Sequence, residues 1–285
     1  HDEKRLRSPV TVRFGKRAEC DFGRAYNEIA AGLKKCLSTS SSTLSSGTGL
    51  QPVSPRLLLM VSPMLSCEDA FLLARAAMAF DKNPIFAVGP IPIQGQDKTS
   101  PGGYTIHSEK APTARGVRRV LAALAKEHHV SEGKVRTFEE LEASLKSADA
   151  KQIGAMILTG NYPSEWVTES FANALRPGTP TARERGFSGD RPFLILIDTL
   201  PNRLTDLADV VLPGASWAEK AGTFENVKSI LQAFEQAIPV IDGARSEGQI
   251  ALDLIAEATT GSQADAPRYN AAETRRMMAD PSRGG

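Results

Sequence analysis

Cysteine is scarce in this chain: the 285 residues contain three, Cys20, Cys36 and Cys67. They form no CxxC pair and no Cys/His cluster at the short spacing of a zinc or iron–sulfur site, so no metal-ligand set is read from them. A sparse, odd set fits reduced thiols better than a disulfide scaffold. An excess of one charge is missing too. Lys plus Arg is 34 against 33 for Asp plus Glu, a formal charge of +1, which lacks the clustered basic excess that nucleic-acid binding needs. The longest apolar runs, Leu57–Val61 and Phe193–Ile197, fall far short of the ~20 residues of a membrane span, so no direct membrane insertion is expected.

The common catalytic strings are absent as well. There is no GKS or GKT phosphate loop and no HExxH. Gly47-Thr-Gly49 lies in a Ser-rich stretch with no strand before it, and Asp190 after Gly186-Phe-Ser-Gly189 spoils a nucleophile elbow. His128 and His129 follow Glu127; adjacent helical residues point ~100° apart, and a helix C-terminus that favours a cation accounts for them better than a metal does. No catalytic residue and no metal ligand is nominated.

A large core is present. The chain is 41% hydrophobic, and five continuous apolar runs stand out: Leu57–Val61, Ile85–Val88, Ile153–Leu158, Phe193–Ile197 and Val210–Leu212. Runs that do not alternate are how strands buried on both faces of a parallel sheet read. Between them lie helical stripes, such as Val117, Val120, Leu121 and Leu124, then Phe138, Leu141 and Leu145, and later Ala251, Leu254, Ile255 and Ala258. Thr137 with Glu140 and Ser246 with Gln249 read as capping boxes, and Ser66 with Asp69 as a near version. Strands alternating with helices imply an α/β fold, a doubly wound parallel sheet.

Domain organisation follows from composition. Residues 1–37 carry a strand (Val10–Phe14) and a helix (Phe22–Cys36) that join the fold. Residues 38–56 read as a flexible linker, since Ser38–Gly49 is Ser, Thr or Gly at 11 of 12 positions. Residues 57–260 form the α/β domain, with Arg176–Pro192 as a long surface loop. Residues 261–285 lack Val, Ile, Leu, Phe and Trp and are expected to fray as a disordered tail. The chain begins at His1, and it reads as a piece of a longer protein.

Open α/β sheets bind ligands outside the carboxyl ends of their strands. The loops there are Ser62-Pro63, Thr159-Gly160-Asn161-Tyr162-Pro163, Asp198-Thr199 and Pro213-Gly214. Asn161 could hydrogen-bond a base or ribose and Asp198 a hydroxyl or a guanine edge; equally, Asn161 could make a turn and Asp198 cap the next element.

The most specific stretch is Asp198 to Gln232. Ala208-Asp209-Val210-Val211-Leu212-Pro213, then Trp217, Glu219, Gly222-Thr223-Phe224, Asn226 and Gln232, resembles the signature of the molybdopterin oxidoreductase superfamily. Within it, the stretch is similar to the large iron–sulfur subunit of bacterial NADH:quinone oxidoreductase, respiratory complex I. Ser62-Pro63 with Glu68, Lys110-Ala111-Pro112 with Gly116, and Arg5-Leu6 with Pro9, Arg13 and Gly15 agree with it. The chain departs from the pattern at Val227-Lys228-Ser229, where an acidic-Gly-Arg step is usual, and at Tyr162, which separates Asn161 from Pro163.

The resemblance implies a formate dehydrogenase/DMSO reductase-like fold and a structural part in a respiratory electron-transfer complex that passes electrons from NADH to quinone. It implies other subunits of the complex I peripheral arm as partners, on the cytoplasmic face of the inner membrane. Iron–sulfur clusters would belong to the parent subunit, with no cofactor in this fragment. Asn161, Asp198, Thr199 and Asp209 would line a vestigial cofactor pocket. The alternative is the pterin-dinucleotide-binding part of a molybdenum-dependent oxidoreductase of formate-dehydrogenase type. A third reading is a free-standing nucleotide-binding α/β domain. Asp209, Glu219 and Thr223 could simply fasten their loop, with Gly222 allowing a tight turn before Phe224 enters the core.

Overall fold

The alternation of apolar runs and amphipathic stripes becomes a single layered sheet. The computed structural model describes residues 2–13, 15–38, 54–147, 150, 152–176 and 191–280. The chain opens with the hairpin strands β1 (Val10–Arg13) and β2 (Lys16–Glu19) and the helix α1 (Phe22–Ser38). Then come β3 (Arg56–Val61), α2 (Cys67–Phe80) and β4 (Ile85–Val88). A short ribbon, β5 (Lys98–Thr99) with β6 (Thr105–Ile106), precedes α3 (Ala114–Glu127). β7 (Val135–Arg136), α4 (Phe138–Leu145), β8 (Ile153–Thr159) and α5 (Glu169–Ala174) follow. After β9 (Phe193–Asp198) and β10 (Val210–Pro213), a second ribbon, β11 (Gly222–Glu225) with β12 (Leu231–Phe234), leads to α6 (Glu247–Thr260) and α7 (Ala271–Ala279).

The sheet runs β2-β1-β10-β9-β8-β3-β4-β7, with β1 and β2 antiparallel and the remaining six strands parallel. Counted along the chain from β7, those six lie in the order third, second, first, fourth, fifth, sixth. This is the doubly wound arrangement, and its order reverses between β3 and β8, where a crevice opens outside the carboxyl ends. Alternate residues of each strand go to opposite faces. Leu57, Leu59 and Val61 pack with Ile157, Ile195 and Leu212 beneath α1, α2, α3 and α6. Leu58 and Met60 pack with Met156, Leu196 and Val211 beneath α4 and α5. Each fully buried aliphatic side chain contributes roughly 1.5–3 kcal/mol.

Caps fix where the helices start. Ser66 and Asp69 form a full capping box, and so do Thr137 and Glu140. Ser246 caps α6 through Gln249 N, but the Gln249 side chain turns away to Asp253 and Pro267. α3 ends at Glu127 with His128 as its C-cap.

β1 extends the main sheet by pairing with β10. Two expectations change. The segment after Thr260 holds structure, because Tyr269 donates to Ala221 O at 2.9 Å and Arg275 to Glu68 Oε1 at 2.9 Å, docking α7 on α2. Polar anchors substitute there for the missing aliphatics. Phe224 does not enter the core; it stays half-buried against Phe234, ring centroids 4.4 Å apart, within the ribbon. Most of the Ser-rich stretch and of the Arg176–Pro192 loop lies outside the described residues.

Candidate functional site

Thr159 and Ser62 join β8 to β3 at the point of reversal. Thr159 Oγ1 donates to Met60 O at 3.2 Å and accepts from Ser62 N at 2.8 Å. The next residue, Gly160, sits so close to Asp198 that a Cβ would lie 1.8 Å from its Oδ2. Only glycine fits. Asn161 then adopts a left-handed φ of 74°, a conformation that Asn tolerates better than most side chains.

Asp198, at the end of β9, organises this loop. Its Oδ1 accepts from Asn161 N at 2.8 Å and Thr199 N at 2.7 Å; its Oδ2 accepts from Trp166 Nε1 at 2.9 Å and Asn202 Nδ2 at 2.8 Å. Burial pushes its carboxyl pKa up, against the opposing pull of these donors. Four protein donors thus occupy the carboxylate, which shapes the crevice and lines the cavity beside it. Thr199 is likewise turned inward, its N–H on Asp198 and its carbonyl accepting from Leu6 N at 3.0 Å.

Asp209 is not brought to this site. It precedes β10, and a residue before a parallel strand lies at the amino end of the sheet. There its Oδ2 accepts from Leu194 N at 2.8 Å and its carboxylate pairs with both Arg191 nitrogens at 2.7 Å. It fastens its loop, as does Glu219, which accepts from Ser216 N, Arg5 and Ile241 N. Burial tends to raise the Glu219 pKa, and those donors outweigh it and hold it low.

Beside Asp198 a cavity of about 300 Å³ is bounded by Tyr162, Pro163, Trp166, Leu200 and Asn202, with Lys4 among its lining residues. Tyr162 and Trp166 are stacked with centroids 5.3 Å apart. Burial raises the Tyr162 pKa, and its hydroxyl is anchored on Pro90 O at 2.8 Å. Asn161 Nδ2 donates to Ala215 O at 2.7 Å and Glu247 Oε1 at 3.2 Å, which leaves its Oδ1 without a partner among the described residues. A larger cavity of about 690 Å³, lined by Arg56, Glu132, Lys134 and Arg136, borders β7 and the start of β3, away from this loop.

A buried charge cluster under the crevice is not visible in the sequence. Lys220, 3% exposed, pairs with Asp69 Oδ2 at 2.9 Å and with Glu247 Oε2. Desolvation would lower the Lys220 pKa, but the two carboxylates raise it on balance. Burial lifts the Glu247 pKa to about 7, with Lys220 opposing. Nothing in a periodicity separates a buried Lys or Glu from a surface one. The only local sign is the run of turn breakers and motif residues on both sides of Lys220.

The fold and its crevice thus define a doubly wound α/β domain. The chain belongs to the molybdopterin oxidoreductase family, whose profile matches residues 92–257. It is 38% identical over 65 residues to a nitrate reductase of Symbiobacterium thermophilum, 23% of this chain and 9% of that protein. It is 48% identical over 46 residues, 16% of this chain and 7% of the relative, to an F420-dependent formate dehydrogenase 1 subunit alpha of Methanococcus maripaludis. These matches span less than a tenth of either relative. Acetylene hydratase from Pelobacter acetylenicus superposes with a TM-score of 0.45 at 10% identity, over 90% of this chain and 62% of that one.

Family membership corrects the expectation that this fragment takes no cofactor: it points to a molybdopterin group. The residues present fit one end of it. The cavity walled by Tyr162, Trp166, Leu200 and Asn202, with Lys4 in its lining, suits a nucleobase and its ribose; Asn161 precedes Tyr162 without lining it. For the metal end, no group of three or more His, Cys, Asp or Glu converges among the described residues, and burial raises the Cys67 thiol to about 11. No helix among the described residues is long and apolar enough to cross a membrane.

Proposed function

We propose that this chain supplies the part of a molybdenum-dependent oxidoreductase, of the formate dehydrogenase and nitrate reductase kind, that holds the nucleotide end of a pterin-dinucleotide cofactor. When bound, that cofactor supplies the redox chemistry; the chain's own residues bind and orient it. Tyr162 and Trp166 form the wall against which a planar base packs. Asn161 Oδ1 accepts a donor from base or sugar, and Lys4 offers a cation for a phosphate. Asp198, Thr199 and Gly160 keep the loop in shape. The observation that carries the reading is the cavity of about 300 Å³ at the end of β9, beside the reversal in strand order.

A place in the peripheral arm of complex I, which the Asp198–Gln232 stretch suggests, is the second reading. It rests on that stretch and the shorter segments that agree with it, while the curated relatives include a nitrate reductase and a formate dehydrogenase subunit. The test is a fluorescence titration of the chain with GMP, read through Trp166 with exposed Trp217 as internal background. The reading expects saturable quenching that Asn161→Gly weakens at least tenfold. Quenching by GMP and AMP alike, unaffected by Asn161→Gly, contradicts it.

A further inference from the structure

Two fully buried carboxylates, Asp69 and Glu247, share the single ammonium of Lys220. With both ionised, the trio carries one uncompensated negative charge away from water, an arrangement that favours uptake of one proton. Asp69 Oδ2 is already engaged by the N–H and hydroxyl of Ser66 at 3.1 and 2.8 Å. Its Oδ1 is buried without a partner. Glu247 Oε2 faces Lys220 Nζ, so its remaining acceptor is Oε1, which takes the Asn161 Nδ2 proton.

That contact has a consequence at the crevice. Both groups that hold the Asn161 amide, Ala215 O and Glu247 Oε1, are acceptors. They fix the NH2 on those two acceptors and leave the carbonyl oxygen without a protein partner among the described residues. We propose that Glu247, ion-paired with Lys220, is a positioning residue that sets the polarity of the Asn161 amide, so that the crevice takes ligands with an N–H or O–H donor at that point. The part about ligands rests on the cofactor-binding reading; the part about Asn161 does not.

Because Lys220 occupies Oε2, a proton added to Glu247 lands on Oε1. It turns an acceptor into a donor and breaks the contact with Asn161 Nδ2. Burial pushes the Glu247 carboxyl up to about 7, against the pull of Lys220. The charged or titratable groups around it are Asp69 and Glu68 from α2, Lys220 and Glu219 before β11, Asp198 behind the Asn161 loop, and Asp253 on its own helix. Arg245 lies before α6, Tyr269 and Arg275 come from the C-terminal segment, and Arg5 reaches Gly214 O at 3.1 Å. None of these is a histidine.

The experiment is to follow the Asn161 side-chain amide of the full chain by 1H–15N NMR from about pH 5.5 to about pH 8.5, bracketing the ordinary range in which a raised carboxyl titrates. The expected result is a single-proton transition with a midpoint near 7, absent in Glu247→Gln. A signal that stays still in the unmutated chain overturns the proposal even if the variant fails to fold, and a transition that survives in a folded Glu247→Gln overturns it as well. A parallel GMP titration separates the two layers. The expected Kd weakens about tenfold per pH unit below the midpoint, and is flat with pH in Glu247→Gln. GMP that binds at no pH, with the Asn161 transition intact, contradicts the cofactor reading and leaves the positioning of Asn161 supported.

Discussion

Thr223 gives both its backbone N–H and its hydroxyl to the carboxylate of Glu68, at 2.7 Å each, across 155 residues of sequence. Two separated pieces of the family signature, the Glu after Ser62-Pro63 and the Gly-Thr-Phe turn, therefore meet in one contact, which Arg275 completes from the C-terminal helix. The carboxylate is buried and accepts three donors. Glu68→Gln places an NH2 among those donors and is expected to cost roughly 1–3 kcal/mol in urea unfolding. A variant within a few tenths of a kcal/mol of the parent would show that the contact is not held in solution.

Gly222 illustrates close approach rather than a turn. A Cβ there would lie 2.5 Å from Ser66 Cβ, so the ribbon can rest on the start of α2 only without a side chain. Gly222→Ala is expected to lose roughly 1–3 kcal/mol. Gly102→Ala, whose Cβ meets nothing nearer than 4.0 Å, should change stability little. Equal effects of the two substitutions would refute this packing of the ribbon on α2.

Asp198→Ala removes the acceptor of four donors at once and should behave as a folding defect. The expected loss exceeds about 3 kcal/mol, since each buried donor left bare costs on the order of 1 kcal/mol or more. A well-folded Asp198→Ala that had lost only ligand affinity would mean that the carboxylate touches the ligand directly.

Much of this fold is legible in the sequence, because strands buried on both faces leave continuous apolar runs. β4 begins and ends where its run does, and β3, β8, β9 and β10 exceed theirs by a single residue each. β7 has only two residues, and β12 is largely exposed, so neither leaves such a run. Within the crevice, the loop with Asn161 and the end of β9 are readable from strand direction, whereas Asp209 belongs to the opposite end for the same reason. The cluster of Asp69, Lys220 and Glu247 is not readable: its charges are buried by tertiary packing, and each looks like a surface residue in its own helix or loop.

The same cluster makes stability depend on pH in a definite direction. The Glu247 pKa rises from its ordinary 4.5 to about 7 on folding, so the native state binds the extra proton between those values. Stability from this group is present below about 4.5 and is lost as pH rises towards about 7, by up to roughly 3 kcal/mol. Comparing Glu247→Gln with the parent at about pH 5 and about pH 8 isolates the effect. The parent should lose more stability than the variant over that interval, and the opposite order would contradict the assignment.

Whether the crevice beside β8 and β9 holds a nucleotide is tested most directly by a map of backbone amide shifts as GMP is added to the chain. The expected perturbations fall on Lys4, Tyr162, Trp166 and residues 200–202, which line the cavity, and on Asn161 next to Tyr162. Shifts confined to the surface around Lys134 and Arg136, or none at all at millimolar GMP, would contradict a nucleotide site there.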